Sequence, residues 1–192
     1  MIIKSKVFIL RTYKKGDEKS LIENINDKDI YKFTARIPYP YTLKDAKQWI
    51  NNCIKSAKKK DKISINFAID INGEVVGGIG FDPIESHKAE IGYWLGKKHW
   101  NKGVVTEAVK LVTKFGFDII KLKRITAHVF SKNKASACVL EKNGYNLEGV
   151  LRNHHFKDGK YLDALLYAKI KNEQTKKNPR LRLWKLKNRR SR

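Results

Sequence analysis

Between Leu95 and Thr106 the chain runs Gly96-Lys97-Lys98-His99-Trp100-Asn101-Lys102-Gly103-Val104-Val105, residue types that suit the binding of an anion. A glycine at 103 lets the backbone approach a ligand, and the first amides of a helix are unpaired donors at the positive end of its dipole. Lys97, Lys98 and Lys102 add charge beside them. The Gly-x-Gly-x-x-Gly and Gly-x-x-x-x-Gly-Lys-Ser/Thr fingerprints are absent, which argues against a Rossmann dinucleotide site and a P-loop. Taken alone, the segment reads more readily as an ordinary strand-to-helix turn with solvated lysines, because short motifs are poorly specific. His87, His99, His128, His154 and His155 are unlike a metal set. No acidic partner sits at ligand spacing, and neighbours in a strand such as His154 and His155 point to opposite faces. Cys53 and Cys138 form no CxxC pair and read as small buried hydrophobes.

The elements that must position this turn follow from periodicity. Ala89 to Leu95 reads as a strand before the turn. The helix after it, beginning near Thr106, carries Val105, Ala108, Val109, Val112 and Phe115 at i, i+3, i+4, i+7 spacing. Upstream, residues 6–13 predict a first strand, Asp17 opens a helix with Leu21, Ile22 and Ile25, and a loop follows. Thr42 with Asp45 three residues on predicts an N-cap for a helix burying Ala46, Trp49, Ile50 and Cys53. Residues 67–71 and 75–81 form a hairpin across Asn72-Gly73. Downstream come a strand at 124–130, a helix at 135–142 stopped by Asn143-Gly144, and a hairpin of 147–156 with 160–170 across Asp158-Gly159. In the last strand Leu162, Ala164, Leu166 and Ala168 share one face. The order β-α-α-β-β-β-α-β-α-β-β predicts an α/β or α+β fold with a mixed sheet.

The 192 residues are 41% hydrophobic, enough for a sizeable core and too much for a disordered chain. Charge is the outlier, at +23, which predicts attraction to polyanions. Ten Lys/Arg against one acid, Glu173, give the segment 171–192 a net +9 and leave +14 for residues 1–170. We therefore expect a domain over 1–170 and a basic tail over 171–192. No apolar run approaches the roughly 20 residues of a membrane span, and Met1-Ile2-Ile3-Lys4 is unlike a signal peptide, so the expected location is cytoplasmic.

Five segments occur in order: Glu90-Ile91-Gly92-Tyr93-Trp94-Leu95, Trp100-Asn101-Lys102-Gly103-Val104-Val105-Thr106-Glu107-Ala108, Asn133-Lys134-Ala135-Ser136, Leu140-Glu141-Lys142-Asn143-Gly144-Tyr145, and Glu148-Gly149-Val150-Leu151-Arg152. Together they resemble the GNAT acetyltransferases, and more narrowly the Rim-type branch that acetylates ribosomal-protein N-termini. Pro38-Tyr39-Pro40-Tyr41-Thr42 with Asp45-Ala46 and Trp49-Ile50 is similar to that branch too. The resemblance covers residues 6–170. It implies a mixed, mostly antiparallel sheet flanked by helices, with a splayed strand pair that holds acetyl-coenzyme A. Tyr93, Trp94 and Leu95 would hold the acetyl-pantetheine arm through their backbone. Amides of Lys102, Gly103, Val104, Val105 and Thr106 would face the pyrophosphate. Trp100 replaces the family's Arg/Gln at the start of that turn, and Val105 replaces its small last residue. Asn133 matches the asparagine that contacts pantetheine; its plain alternative is a helix N-cap.

Where many relatives carry a tyrosine that protonates the departing thiolate, this chain has Leu140. Ser136 and Tyr145 are the nearby hydroxyls, and the branch pattern favours Ser136 over a mere helix hydroxyl bonded to its own turn. Transfer needs a neutral amine, hence a carboxylate: Glu90 is the candidate base, with Glu85 and Glu148 in reserve. No metal is implied. Arg152 and Tyr161 to Asp163 lie on the hairpin that would rim the acceptor pocket. Three functions follow. They are acetyl transfer to a protein N-terminus, possible on a ribosomal protein; acetyl transfer to a small amine; and a non-catalytic module holding acetyl-coenzyme A or RNA, which Leu140 and Val105 favour. The tail's Trp184 among basic residues suits contact with RNA or the ribosome, ranked above an anionic membrane surface, and its plain alternative is a solvated end.

Overall fold

The computed structural model describes residues 2–59 and 63–172, so the expectation for the basic tail lies outside the described residues. Among these residues eight strands make one sheet: β1 (Ile2–Lys4), β2 (Ile9–Arg11), β3 (Ile65–Ile71), β4 (Glu74–Glu85), β5 (Lys88–Leu95), β6 (Arg124–Phe130), β7 (Asn146–Lys157) and β8 (Lys160–Ile170). Their order across the sheet is β1-β2-β3-β4-β5-β6-β8-β7. Only β5 and β6 pair in parallel; the other neighbours are antiparallel. Among the described residues five α-helices cover it: α1 (Glu18–Ile25), α2 (Lys28–Lys32), α3 (Leu43–Lys58), α4 (Val104–Asp118) and α5 (Lys134–Lys142). The expected mixed α/β fold is the observed one.

Local signals placed most of these elements. Asn72 and Gly73 take φ of 54° and 89°, and Asp158 and Gly159 take 50° and 72°, the left-handed pair that a two-residue hairpin turn demands. Thr42 Oγ1 accepts from the Asp45 amide at 3.3 Å while the Thr42 amide donates to Asp45 Oδ2 at 2.8 Å, a reciprocal cap at the start of α3.

Three expectations need correction. The first strand is Ile9–Arg11 alone, preceded by a separate β1. The loop after α1 contains the one-turn helix α2, capped by Asp27 Oδ1 on the Asp29 amide at 2.7 Å. Cys138 is exposed, unlike the buried Cys53. In β8, Leu162, Ala164, Leu166 and Ala168 share one face, and from the opposite face Leu165 and Tyr167 join the core beneath α4 and α5.

The sheet separates two cores. On one face Phe67, Phe81, Ile91, Ile125 and Tyr167 meet Val109 and Val112 of α4 and Leu140 of α5. On the other, Ala68 and Val75 meet Leu21 and Ile25 of α1 and Ala46 and Ile50 of α3. Alternation along β3 sends Phe67 to the first core and Ala68 to the second.

A buried ion triad ties the second face to the sheet. Arg11 on β2 donates through Nε to Asp70 of β3 at 2.6 Å, and through both terminal nitrogens to Asp17 at 2.8 Å each. Asp17 also accepts from the Lys14 amide and Asp70 from the Gly73 amide, so one guanidinium locks the entry of α1 and the β3–β4 turn together. Removing one member of such a buried set strands the charges left behind. Arg11→Met should therefore lower unfolding stability by about 3–5 kcal/mol, whereas Lys114→Met, which removes an exposed i,i+4 pair with Asp118, should leave the denaturation midpoint nearly unchanged; urea melts of the two variants check this.

Candidate active site

Strands β5 and β6 pair only at Lys88 with Arg124, Ala89 with Ile125 and Glu90 with Thr126. Beyond Glu90 they part, because each is held by its outer neighbour: β4 pairs with β5 as far as Leu95, and β8 with β6 as far as Phe130. Backbone groups left open in mid-sheet need partners. The chain supplies one, since the Trp100 indole donates to the Leu95 carbonyl at 2.7 Å. Trp100 thus braces the turn from within.

A cleft of about 880 Å³ occupies the gap. It is lined by Glu90, Tyr93, Trp94, Leu95, Gly103, Val104, Val105, Thr106, Asn133 and Ser136, all of them anticipated from sequence. Lys102 is exposed and does not line it. The reserve carboxylates are elsewhere: Glu85 pairs with Lys88 and Glu148 with Arg124, and neither lines the cleft. Nor do Arg152, Tyr161, Leu162 or Asp163; the hairpin contributes His155 instead.

At one end of the cleft stands the start of α4. The helix begins at Val104, two residues earlier than expected, with Gly103 as its N-cap at φ 76°. A Cβ at 103 would meet nothing within 4 Å, so the glycine serves the left-handed backbone and not a crowded contact. The first helical bond runs from the Glu107 amide to the Gly103 carbonyl. The amides of Val104, Val105 and Thr106 therefore stay free of helical partners. Val105 is half-buried and packs on the core as it lines the cleft.

On the α5 side, Asn133 is the helix cap: its Oδ1 accepts from the Ser136 amide at 3.0 Å. Leu140 is fully buried, and Tyr145 turns its hydroxyl to Thr113 at 2.7 Å inside the core. The hydroxyl that reaches Ser136 belongs to Tyr93, with 2.8 Å between the oxygens. Burial pushes the Tyr93 phenol above its ordinary pKa, so it stays protonated. The family resemblance assigns Tyr93 a role through its backbone alone. The signal for its side chain was strand alternation, which puts 93 on the α5 face when Glu90 faces the other way.

Glu90 shares its face with Trp94 and, on β6, with His128. His128 Nδ1 lies 3.0 Å from Glu90 Oε2, a partnership the sequence did not reveal. The His128 ring stacks on His154 at 4.8 Å, and His154 meets His155 at 4.6 Å with the rings 78° apart. The expectation that His154 and His155 diverge fails because the β7–β8 register shifts between Leu151 and His155, with Asn153 at φ 52°. A bulge replaces simple alternation. The hydrogen bond to Glu90 raises the His128 pKa against the lowering effect of burial, while burial and then His154 and His128 lower that of His155. Among the described residues no group of three or more His, Cys, Asp or Glu could hold a metal ion.

A sheet opened between its parallel strands, with a bare helix N-terminus at the mouth, is the decisive arrangement, and the family model for the acetyltransferase (GNAT) domain matches residues 8–146. The chain belongs to the GNAT N-acetyltransferases. N-acetyltransferase p20 of Bacillus licheniformis is 31% identical over 85% of this chain and 93% of its own length. The ribosomal-protein-serine acetyltransferase of Escherichia coli K12 is 34% identical over 56% of this chain and 62% of its own. Among solved structures, a GNAT acetyltransferase from Bacillus anthracis superposes with a TM-score of 0.78 at 28% identity, covering 90% of this chain and all of that one. RimL, a ribosomal-protein acetyltransferase solved with coenzyme A, shares the fold at a TM-score of 0.81 and 21% identity, over 88% of this chain and 98% of its own.

The paired imidazole of this GNAT enzyme has a measurable signature. A His128 pKa raised by Glu90 contributes stability that is full below the ordinary histidine pKa and is lost as pH climbs through the folded value. His155, depressed, contributes in the opposite sense, its share lost as pH falls through its folded value. In an NMR titration of the imidazoles, His128 should titrate above the ordinary histidine pKa and His155 below it, and Glu90→Gln should bring His128 down. An unmoved His128 midpoint in that variant would contradict the pairing.

Proposed function

We propose that the enzyme transfers the acetyl group of acetyl-coenzyme A directly to the N-terminal α-amine of a protein. The observation that carries this is the division of the cleft by the sheet: Glu90 faces the α1–α3 side, Tyr93 and Ser136 the α4–α5 side, and the β5–β6 gap joins them. In this reading the cofactor lies on the α5 side. Its pyrophosphate takes the amides of Val104, Val105 and Thr106, with Lys102 adding charge from outside, and its acetyl-pantetheine arm runs along the open edge of Tyr93, Trp94 and Leu95. The Asn133 amide nitrogen, not used in the cap, is available to that arm. The acceptor enters from the other face.

Chemistry favours an α-amine. With ordinary pKa values of about 7.8 and 10.4, roughly a seventh of α-amines but only about one lysine in 2,500 are neutral at pH 7, so an α-amine asks less of the base. The lining also disfavours a polycationic small amine. Among the described residues each of its four carboxylates already has a partner in the chain: Asp29 with Lys97, Asp45 with Thr42, Asp82 with Arg36 and Glu90 with His128. RimL, which shares the fold, is an α-N-protein acetyltransferase of ribosomal L7/L12, which supports an α-amine acceptor, and a cytoplasmic setting agrees with a ribosomal substrate. In the transfer, the amine lone pair attacks the thioester carbonyl, the C–S bond breaks, and the Ser136 hydroxyl, backed by Tyr93, meets the departing sulfur. The basic segment after residue 170 would add salt-sensitive contact with ribosomal RNA.

Labelled acetyl-coenzyme A with a panel of N-terminal peptides and small amines tests the acceptor: turnover should be highest on peptides bearing a free α-amine and should vanish when that amine is blocked. Stabilisation by acetyl-coenzyme A without turnover on any amine would instead favour a binding module. Gly103→Asp should keep the fold, since Asp tolerates the left-handed region, yet weaken acetyl-coenzyme A about tenfold or more by setting a negative charge against the phosphates; calorimetric titration reads this. A chain ending at Lys171 should keep peptide turnover and lose most of the salt-dependent affinity for RNA, which filter binding at several salt concentrations measures.

A further inference from the structure

Glu90 belongs to the last paired rung between β5 and β6, and His128 lies two residues past its rung partner, Thr126, on the same face. The two side chains therefore meet at the point where the sheet opens, and both line the cleft. We propose that they form the proton acceptor as a unit: the His128 imidazole takes the proton of the incoming amine, and Glu90 orients that imidazole. The inference rests on the acetyl-transfer reading above and departs from it by moving the base from the carboxylate to the ring.

Three arguments carry the assignment. The contact of Nδ1 with a carboxylate oxygen at 3.0 Å makes Nδ1 the donor, which leaves the Nε2 lone pair as the acceptor. A carboxylate with an ordinary pKa of about 4.3 would take a proton from an amine of about 7.8 across some three and a half units, whereas an imidazole starts near 6.5. Finally, the pair with neutral His128 carries one negative charge, and accepting a proton brings it to net zero, so no charge accumulates in the cleft.

The surroundings allow this. Glu90 faces His128 from β5, and His154 faces it from β7 with His155 behind. Arg36, from the segment before α3, acts on His155. From β8 the residue opposite His128 is the uncharged Leu166. The lowered pKa of His155 keeps that ring neutral near pH 7, and the raised pKa of His128 moves it toward the amine's.

The proton balance closes without another reagent. The ammonium gives one proton to Nε2 and becomes a neutral amine, whose lone pair forms the C–N bond as the C–S bond breaks. The second proton on nitrogen goes to the sulfur, through the Ser136 and Tyr93 hydroxyls or directly. The imidazolium then returns its proton to water.

The test is the pH dependence of kcat/KM, using the best acceptor from the peptide and amine panel, for wild type, His128→Gln and Glu90→Gln. Wild type should show an acidic limb whose midpoint matches the His128 titration seen by NMR. His128→Gln should lose that limb and fall about 10²-fold or more at pH 7, with acetyl-coenzyme A affinity kept. Glu90→Gln should retain the limb and shift it to lower pH. His128→Ala should regain turnover on addition of free imidazole, which a purely structural role for the ring would not permit. An active wild type whose limb and rate survive in His128→Gln overturns this proposal and leaves acetyl transfer standing. A wild type inactive on every amine overturns both.

Discussion

The open edge of β5 governs the rest of the structure. A strand in the middle of a sheet normally has both edges paired, because unsatisfied backbone groups away from water are costly. Here residues 91–95 keep one edge free of β6, and the surrounding elements hold that opening in place. β4 pairs with β5 throughout 91–95 and β8 with the whole of β6, so neither strand can drift inward to close the gap. Trp100 occupies the Leu95 carbonyl from the turn side, and the Tyr93–Ser136 contact links the open strand to α5. The Arg11 triad acts at a distance, fixing α1 and the β3–β4 turn on the α1–α3 side of the sheet.

An opening through a sheet gives a reaction two sides, and strand alternation then assigns the chemistry. Consecutive residues of β5 face opposite ways, so a carboxylate at 90 and a phenol at 93 are separated by the sheet itself. On the proposed reading, the groups that remove a proton from the amine and those that meet the leaving sulfur cannot neutralise each other, yet both reach the atom between them. Gly78 serves the same face as Glu90: a Cβ there would lie 2.5 Å from both the Trp94 indole nitrogen and the Tyr13 hydroxyl. Bare backbone at that position lets two aromatic groups lie close over β4.

What the sequence disclosed follows the range of the interactions involved. The Thr42–Asp45 cap, the Asn72-Gly73 and Asp158-Gly159 turns and the span of β6 depend on a few neighbouring residues, and each was legible. The residues of the cleft were legible through ordered motifs, not through periodicity. The Glu90–His128 contact was not, because it spans 38 positions and depends on where two strands stop pairing. The histidine stack was hidden by the bulge at Asn153, which overrides the period-two rule used to separate His154 from His155. The Arg11 triad likewise joins residues up to 59 apart, and only the folded sheet brings them together.

On the proposed reading, Leu140 bears on how the sulfur obtains its proton. A leucine fully buried in the core can give none, and the hydroxyl that comes closest to Ser136 is a phenol whose pKa burial has raised. Such a phenol is a poor source of protons for a thiolate, whose conjugate acid has a pKa of about 8.5 in cysteine. A hydroxyl pair can instead donate hydrogen bonds to the growing negative charge on sulfur, and pass a proton along while each oxygen gains one and loses one. The proton itself is then supplied by the reaction, because the nitrogen that has attacked a carbonyl carries a positive charge and sheds its hydrogen readily. On this view the site does not need a tyrosine at position 140. It needs a base that frees the first proton, and a polar pair on the far side of the sheet to receive the second.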